Sequence, residues 1–321
     1  MFTVKDYCKC CKDDAYGGSI ELVNAGIDAL LNDIEAGEYQ NAAELCDALE
    51  AYVDDILLVS TSVLPLINLL IKVLRFSRVH RSIQSAEEVK RAAADMLRNH
   101  KENQENSTAN IGVYGSRMIK DGAKIGTFST SGSVMAILKE AVKTGKELEA
   151  ICFEARPHNE GYRTLREISE LGISTVLGVD ALICCLIPKC DIFLIGVDAI
   201  TVDGSVYAKT GSYLAALACK EFNIPFYVAA DTSKFDTMSL YGFPLKDSDR
   251  PANEVTEDIF PECAHIRNVS FELVPPQLIR GIITEKGIVS PGAIVSVTGM
   301  IDMDDYTIEK LAAWINTSRK C

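Results

Sequence analysis

The sequence predicts an α/β protein in two parts, an all-helical stretch over residues 1–120 and a doubly wound parallel sheet over 121–321. Three observations lead there. Up to residue 120, apolar residues recur at helical spacing, as in Ile20, Val23, Ile27, Leu30 and Leu31. From Asp121-Gly122 onward, short apolar runs alternate with helical patterns, which is the grammar of βαβ units and hence of a parallel, right-handed sheet. The stretch Asp191 to Asp236 shows this alternation most plainly, and it delivers aspartates, lysines and hydroxyls to the ends of its strands.

Taken in order, the helical part carries apolar stripes on Ala42, Leu45, Leu49 and Val53, then from Ile56 to Leu74, then from Val89 to Leu97. The polar segment His100 to Ser107 predicts a break before another helix to Lys120. Beyond it, strands are expected at Lys124–Thr127, Leu148–Phe153, Ser174–Leu177, Ile192–Ile195 and Phe226–Ala230. Helices are expected at Gly132–Thr144, Gly161–Leu171, Ala181–Ile187 and Tyr213–Glu221. Residues 236–268, rich in Asp, Glu and Pro, predict a long excursion or lid. Phe271–Val274 predicts an edge strand, and Pro275-Pro276 a stop followed by a helix over Gln277–Ile282. Thr284-Glu285-Lys286-Gly287 predicts a turn before the last strand, and Ile308–Ile315 a final helix.

Composition narrows the function. The net charge of −13 over 321 residues argues against direct nucleic-acid binding across the whole surface, though not against a local basic pocket. Ile56 to Ile71 is interrupted by Ser60-Thr61-Ser62, Pro65 and Asn68, so it predicts a buried helix and no membrane span. The eleven cysteines have no framework spacing, and Cys152, Cys184, Cys185 and Cys219 lie in apolar runs. Free thiols and a reducing, cytoplasmic location are expected. Cys8-Lys9-Cys10-Cys11 lacks the second, separated pair that tetrahedral zinc needs, and the four histidines are scattered, so no metal is expected. No Walker loop, GxGxxG or nucleophile elbow occurs, and no cofactor is implied.

Several pieces in register resemble one family. They are Asp121-Gly122-Ala123; Glu154-Ala155-Arg156-Pro157 with Gly161; Gly196-Val197-Asp198-Ala199-Ile200; Asp203-Gly204-Ser205-Val206; Lys209 with Gly211; Pro225-Phe226-Tyr227-Val228-Ala229-Ala230; Lys234-Phe235; and Pro275-Pro276 with Ile283-Thr284-Glu285-Lys286-Gly287. The set is similar to the family that contains the regulatory subunits of translation initiation factor 2B, ribose-1,5-bisphosphate isomerase and methylthioribose-1-phosphate isomerase. The resemblance covers residues 108 to 295. It implies a Rossmann-like C-terminal domain behind a helical N-terminal one, a sugar-phosphate pocket between them, a homodimer or higher homo-oligomer, and the translation initiation machinery as a partner class. In the isomerases of this family a cysteine and an aspartate move the protons of an aldose–ketose interconversion.

Carried over residue by residue, Asp198 stands at the aspartate's position; its alternative use is to cap the following loop. At the cysteine's position stands Ser129, and before it Phe128 replaces the usual histidine. A serine has no proton to trade at neutral pH without a strong neighbouring base. Ser129, Thr130, Ser131 and Ser133 can hold phosphate at a helix start, or simply cap the helix. Arg156 can clamp a phosphate or pair with Glu154 or Glu160. Lys209, Lys234 and Gly211 are phosphate-binding candidates on loops at the strand ends, the lysines alternatively being solvated. Ala208 stands where the family has an asparagine. The expectation is a regulatory protein that binds a phosphorylated sugar or nucleotide in an interdomain crevice. The alternatives are an aldose–ketose isomerase with Ser129 in the cysteine's place, or a structural subunit with an empty crevice.

Overall fold

The computed structural model describes residues 1–12, 19–59, 63–83, 85–242, 250–261, 263–298 and 304–318, with side chains in the last helix as far as Trp314. The described residues fall into two units. One draws on Met1–Glu105, Tyr241–Phe243 and Met300–Cys321, the other on Asn106–Leu240 and Pro244–Gly299. The C-terminal stretch therefore groups with the helices, not with the sheet as the 121–321 division has it.

The helical unit holds α1 (Val4–Lys12), α2 (Ser19–Ala36), α3 (Ala42–Val59), α4 (Leu64–His80) and the first part of α5 (Ala86–Ser116). Val23, Ile27, Leu30 and Ile34 of α2 and Leu45, Leu49, Val53 and Ile56 of α3 form the buried stripes that the periodicity demands. Pro65 sits in the first turn of α4, where its missing N–H costs nothing, and every residue from Leu64 to Ile71 is buried. The uncharged run is therefore not the single buried helix expected: residues 56–59 end α3, where Leu58 is exposed, and residues 64–71 are the buried start of α4. No helix among the described residues is long and apolar enough to cross a membrane. Ser60-Thr61-Ser62 lies outside the described residues. The expected break at His100–Ser107 is absent, because α5 runs through it. Leu97, Gln104 and Ile111 are buried at intervals of two helical turns, so one face keeps the helix docked while the polar residues between them are solvated.

The sheet unit follows the predicted alternation: β1 (Lys124–Phe128), α6 (Gly132–Lys143), β2 (Glu149–Phe153), α7 (Gly161–Glu170), β3 (Ser174–Gly178), α8 (Ile183–Leu186), β4 (Ile192–Gly196), β5 (Ala199–Ile200), β6 (Val206–Lys209), α9 (Ser212–Glu221), β7 (Phe226–Ala229), β8 (Phe271–Val274), β9 (Gly281–Thr284), β10 (Gly287–Val289) and α10 (Ile294–Thr298). The helical unit's last helix, α11 (Asp305–Ser318), closes the chain. The main sheet has the order β10-β9-β7-β4-β1-β2-β3, parallel except for the β9–β10 hairpin. Alternation along β4 sends Phe193 and Ile195 into one core with Ile183, Ala215 and Cys219, and Ile192 and Leu194 into another with Ile137, Leu138 and Ile168. Helices therefore cover both faces, as a parallel sheet requires.

Some expectations need correction. The helix expected at Gln277–Ile282 is a short 3-10 turn, Pro276–Leu278, followed by β9. Gly281 to Thr284 are all buried, and a continuous apolar run reads equally well as buried strand or buried helix. Phe271–Val274 is an edge strand, but of a separate antiparallel sheet, β5-β6-β8. Cys184 and Cys185 are exposed on α8, unlike the buried Cys46, Cys152, Cys190 and Cys219. All described cysteines are free.

Candidate functional site

Parallel pairing puts the carboxyl ends of the strands on one edge: Phe128 beside Ile195, Gly196 beside Ala229, and Phe153 beside Gly178. The chain leaves that edge at Ser129–Ser131, Glu154–Glu160, Val197–Asp198 and Ala230–Lys234. This is where an open α/β sheet holds its ligand.

The turn after β1 is built around Ser129, whose φ of 61° is left-handed although it carries a side chain. The Thr164 hydroxyl donates to the Ser129 carbonyl oxygen (2.8 Å), and the Thr130 hydroxyl donates to the Glu160 carbonyl oxygen (3.0 Å). The turn is thereby laced to the start of α7. Gly161 lets the start of α7 lie against the end of β2, since a Cβ there would lie 1.7 Å from the Phe153 carbonyl oxygen. The lacing leaves Glu160 facing Ser129, and the Ser129 hydroxyl donates to Glu160 Oε2.

Glu160 also accepts from Lys209, with Nζ to Oε1 at 2.9 Å. Lys209 is not on a loop but is the last residue of β6, and its side chain is only 8% exposed against 35% for Glu160. A buried ammonium needs such a partner, since an uncompensated charge is costly in the interior. Ser129, Glu160 and Lys209 thus form one network. Ser129 therefore does have a carboxylate beside it, which the sequence did not suggest. A carboxylate already ion-paired with an ammonium is, however, a feeble base toward a serine hydroxyl.

The remaining candidates are tied down elsewhere. Asp198 is half-buried just beyond β4, its N–H donating to the Tyr207 carbonyl oxygen (2.8 Å). Next to it, Lys234 Nζ donates to the Val197 carbonyl oxygen (2.7 Å) from a 3-10 turn. Arg156 pairs with neither Glu154 nor Glu160 among the described contacts; its Nη2 donates to the Val255 carbonyl oxygen (2.8 Å). Ser131 caps α6, accepting from Val134 N–H (3.3 Å), and Ser133 is buried within that helix's first turn. Gly211 adopts φ +108° before α9, and a Cβ there would lie 2.4 Å from Phe128 Cζ. Its N–H and that of Tyr213 donate to Glu272 Oε1 (2.6 and 2.8 Å), so a carboxylate already sits on the α9 N-terminus.

Phe128 explains itself as core: it is 2% exposed and heads a row of rings through Phe153, Phe193 and Phe226. Ala208 is buried in β6, opposite Glu272. Glu160, Glu272 and Glu285, the last accepting from Thr232 N–H at 3.0 Å, are the residues that the sequence reading missed in this role. Only the position of Glu160 one residue before Gly161 hinted at its place. Among the described residues, no buried thiol replaces the missing cysteine. Burial pushes Cys152 up to about 11 and Cys190 up to about 12, and it raises Cys219 as well, which keeps these thiols protonated and inert. Among the described residues, no group of His, Cys, Asp and Glu is placed to hold a metal ion.

Comparison with known proteins adds three relationships and a family. The family model described as "Initiation factor 2 subunit family" matches residues 16–291. The ribose 1,5-bisphosphate isomerase of Methanocaldococcus jannaschii is 35% identical over 64% of this chain and 64% of its own length, just short of two thirds. A putative translation initiation factor eIF-2B subunit 2-like protein of Pyrococcus abyssi is 34% identical over 87% of this chain and 94% of its own. The crystal structure of the Pyrococcus horikoshii translation initiation factor eIF-2B superposes with a TM-score of 0.74 at 31% identity, covering 90% of this chain and 97% of that one.

Proposed function

The chain belongs to the initiation factor 2 subunit family, and on that premise we propose that it binds a phosphorylated sugar or nucleotide at the carboxyl edge of its sheet, as a regulatory protein rather than a catalyst. The observation that carries this reading is the Ser129–Glu160–Lys209 network. It supplies a buried ammonium and a hydroxyl donor suited to an anionic ligand, but no group that exchanges a proton at carbon near neutral pH. Lys234, and Asp198 beside it, complete the proposed site. The isomerase reading keeps one supporting observation, a Ser129 hydroxyl that touches a carboxylate, and it draws on the isomerase among the relatives.

A ligand specific to the native state raises its melting temperature. Scanning fluorimetry against sugar phosphates and nucleoside monophosphates is expected to find such a ligand. Lys209→Ala is expected to weaken its binding about tenfold or more, the value of a charge-assisted contact. Unchanged affinity in that variant would remove Lys209 from the site.

Self-association is part of the same proposal. Leu214 and Leu217 of α9 are 48% and 46% exposed, and Leu182 lies exposed before α8, which packs on α9. Homodimers are the commonest way to bury such a face. Light scattering at micromolar concentration is expected to give at least a dimer, and a monodisperse monomer would sink that part of the reading.

A further inference from the structure

The Lys209–Glu160 pair is unequal. The Lys209 side chain is more than nine-tenths buried and is rooted in β6, a strand paired on both sides, with Val206 opposite Ile200 and Lys209 opposite Phe271. Glu160 lies on the loop that leads into α7, and its side chain is one-third exposed. Moving the lysine out of the pair means extracting a cation from the interior or stranding it there. Moving the glutamate out needs only a side-chain rotation that returns a carboxylate to water. The backbone need not follow, because Thr130 holds the Glu160 carbonyl oxygen and Thr164 holds the Ser129 carbonyl oxygen.

Any anion that reaches Lys209 Nζ meets a carboxylate already there, and two anions on one ammonium repel each other. Release of Glu160 frees the Ser129 hydroxyl together with the ammonium, because the two donors are held by the two oxygens of the same carboxylate. We propose that Glu160 is a resident competitor: its carboxylate occupies the place of a ligand phosphate at Lys209 and Ser129, and binding exchanges one anion for the other. This inference rests on the reading of the carboxyl edge as a site for a phosphorylated ligand. It makes Glu160, alongside Lys209, a residue that sets the affinity.

The test compares the natural protein with Glu160→Gln and Glu160→Ala by calorimetric titration with ribose 5-phosphate, inorganic phosphate and neutral ribose, after each variant has shown a cooperative melt. Both variants are expected to bind the two phosphate probes about tenfold tighter or more, with no gain for ribose. The gain is expected to vanish when Lys209→Met is added. A merely structural role for Glu160 lowers affinity and does not raise it, so the sign of the change is decisive; if Glu160→Ala does not fold, Glu160→Gln carries the test. Equal or weaker phosphate binding by the variants overturns the exchange and leaves the ligand reading standing. Failure of every form to bind either phosphate probe overturns both.

Discussion

The two ends of the sheet each hold a lysine–glutamate pair, and the pairs are not alike. At the amino edge Lys124 meets Glu149 across β1 and β2 at 2.7 Å, with side chains 33% and 58% exposed. At the carboxyl edge Lys209 meets Glu160 at 2.9 Å, with the lysine nearly sealed from solvent. The amino edge also holds carboxylates on backbone N–H groups, Asp191 on Lys124 N–H and Asp121 on Glu147 N–H, which tie loops to the sheet. The same two residue types therefore do different work. Water screens the first pair and makes it nearly indifferent to stability, while the second has to be kept neutral by whatever anion is present. Burial, not composition, separates a surface tie from a site.

Stability measurements sharpen that contrast. Glu160→Ala strands the Lys209 ammonium and is expected to cost about 2 kcal/mol in urea unfolding, below the range for fully buried pairs because Glu160 is partly solvated. An intermediate case lies in the excursion at Arg250–Glu254. Hydrogen bonds from the Arg250 guanidinium and Asn268 hold the Glu254 carboxyl down to about 2 from an ordinary 4.5. Because the folded value is the lower one, this contribution is complete above about pH 4.5 and is lost as pH falls toward 2. Arg250→Gln is expected to return the Glu254 carboxyl titration, followed by carbon-13 NMR, toward the ordinary range; a midpoint still near 2 would mean that the arginine is not the cause. The smallest effect is expected for Lys124→Met, whose urea midpoint should stay close to that of the natural protein. A loss equal to that of Glu160→Ala would erase the distinction between the edges.

Much of the fold was legible because local periodicity and tertiary burial agree. Val134, Ile137 and Leu138 mark one face of α6 in the sequence and lie in one core in the structure. Where they diverge, the reading failed. The stretch 279–284 carries no period that separates strand from helix, and only its place between β7 and β10 makes Gly281–Thr284 a strand. Cys184 and Cys185 look like core in sequence, yet a helix as short as α8 leaves them outside. The candidate site was proposed from residue types, and its pairings were not legible. Lys209 and Ser129 were singled out, whereas their shared partner Glu160 lies 49 residues from one and 31 from the other. No spacing rule links residues that a fold brings together from separate elements. The seating of Glu272 on α9 was hidden for the same reason, whereas capping by Ser131 was one of the two uses the sequence offered.

The central claim is that this carboxyl edge binds without isomerising. Ser129 offers a hydroxyl held by an ion-paired carboxylate, and the buried thiols are kept protonated. General acid–base catalysis contributes about 10²–10⁴-fold and needs a group that trades its proton near the working pH. The direct measurement incubates the protein with ribose 1,5-bisphosphate and, separately, methylthioribose 1-phosphate, and follows the ketose by NMR. The account predicts little or no ketose. Robust turnover that is lost in Asp198→Asn would contradict it and make the chain an aldose–ketose isomerase working through Ser129 or Glu160.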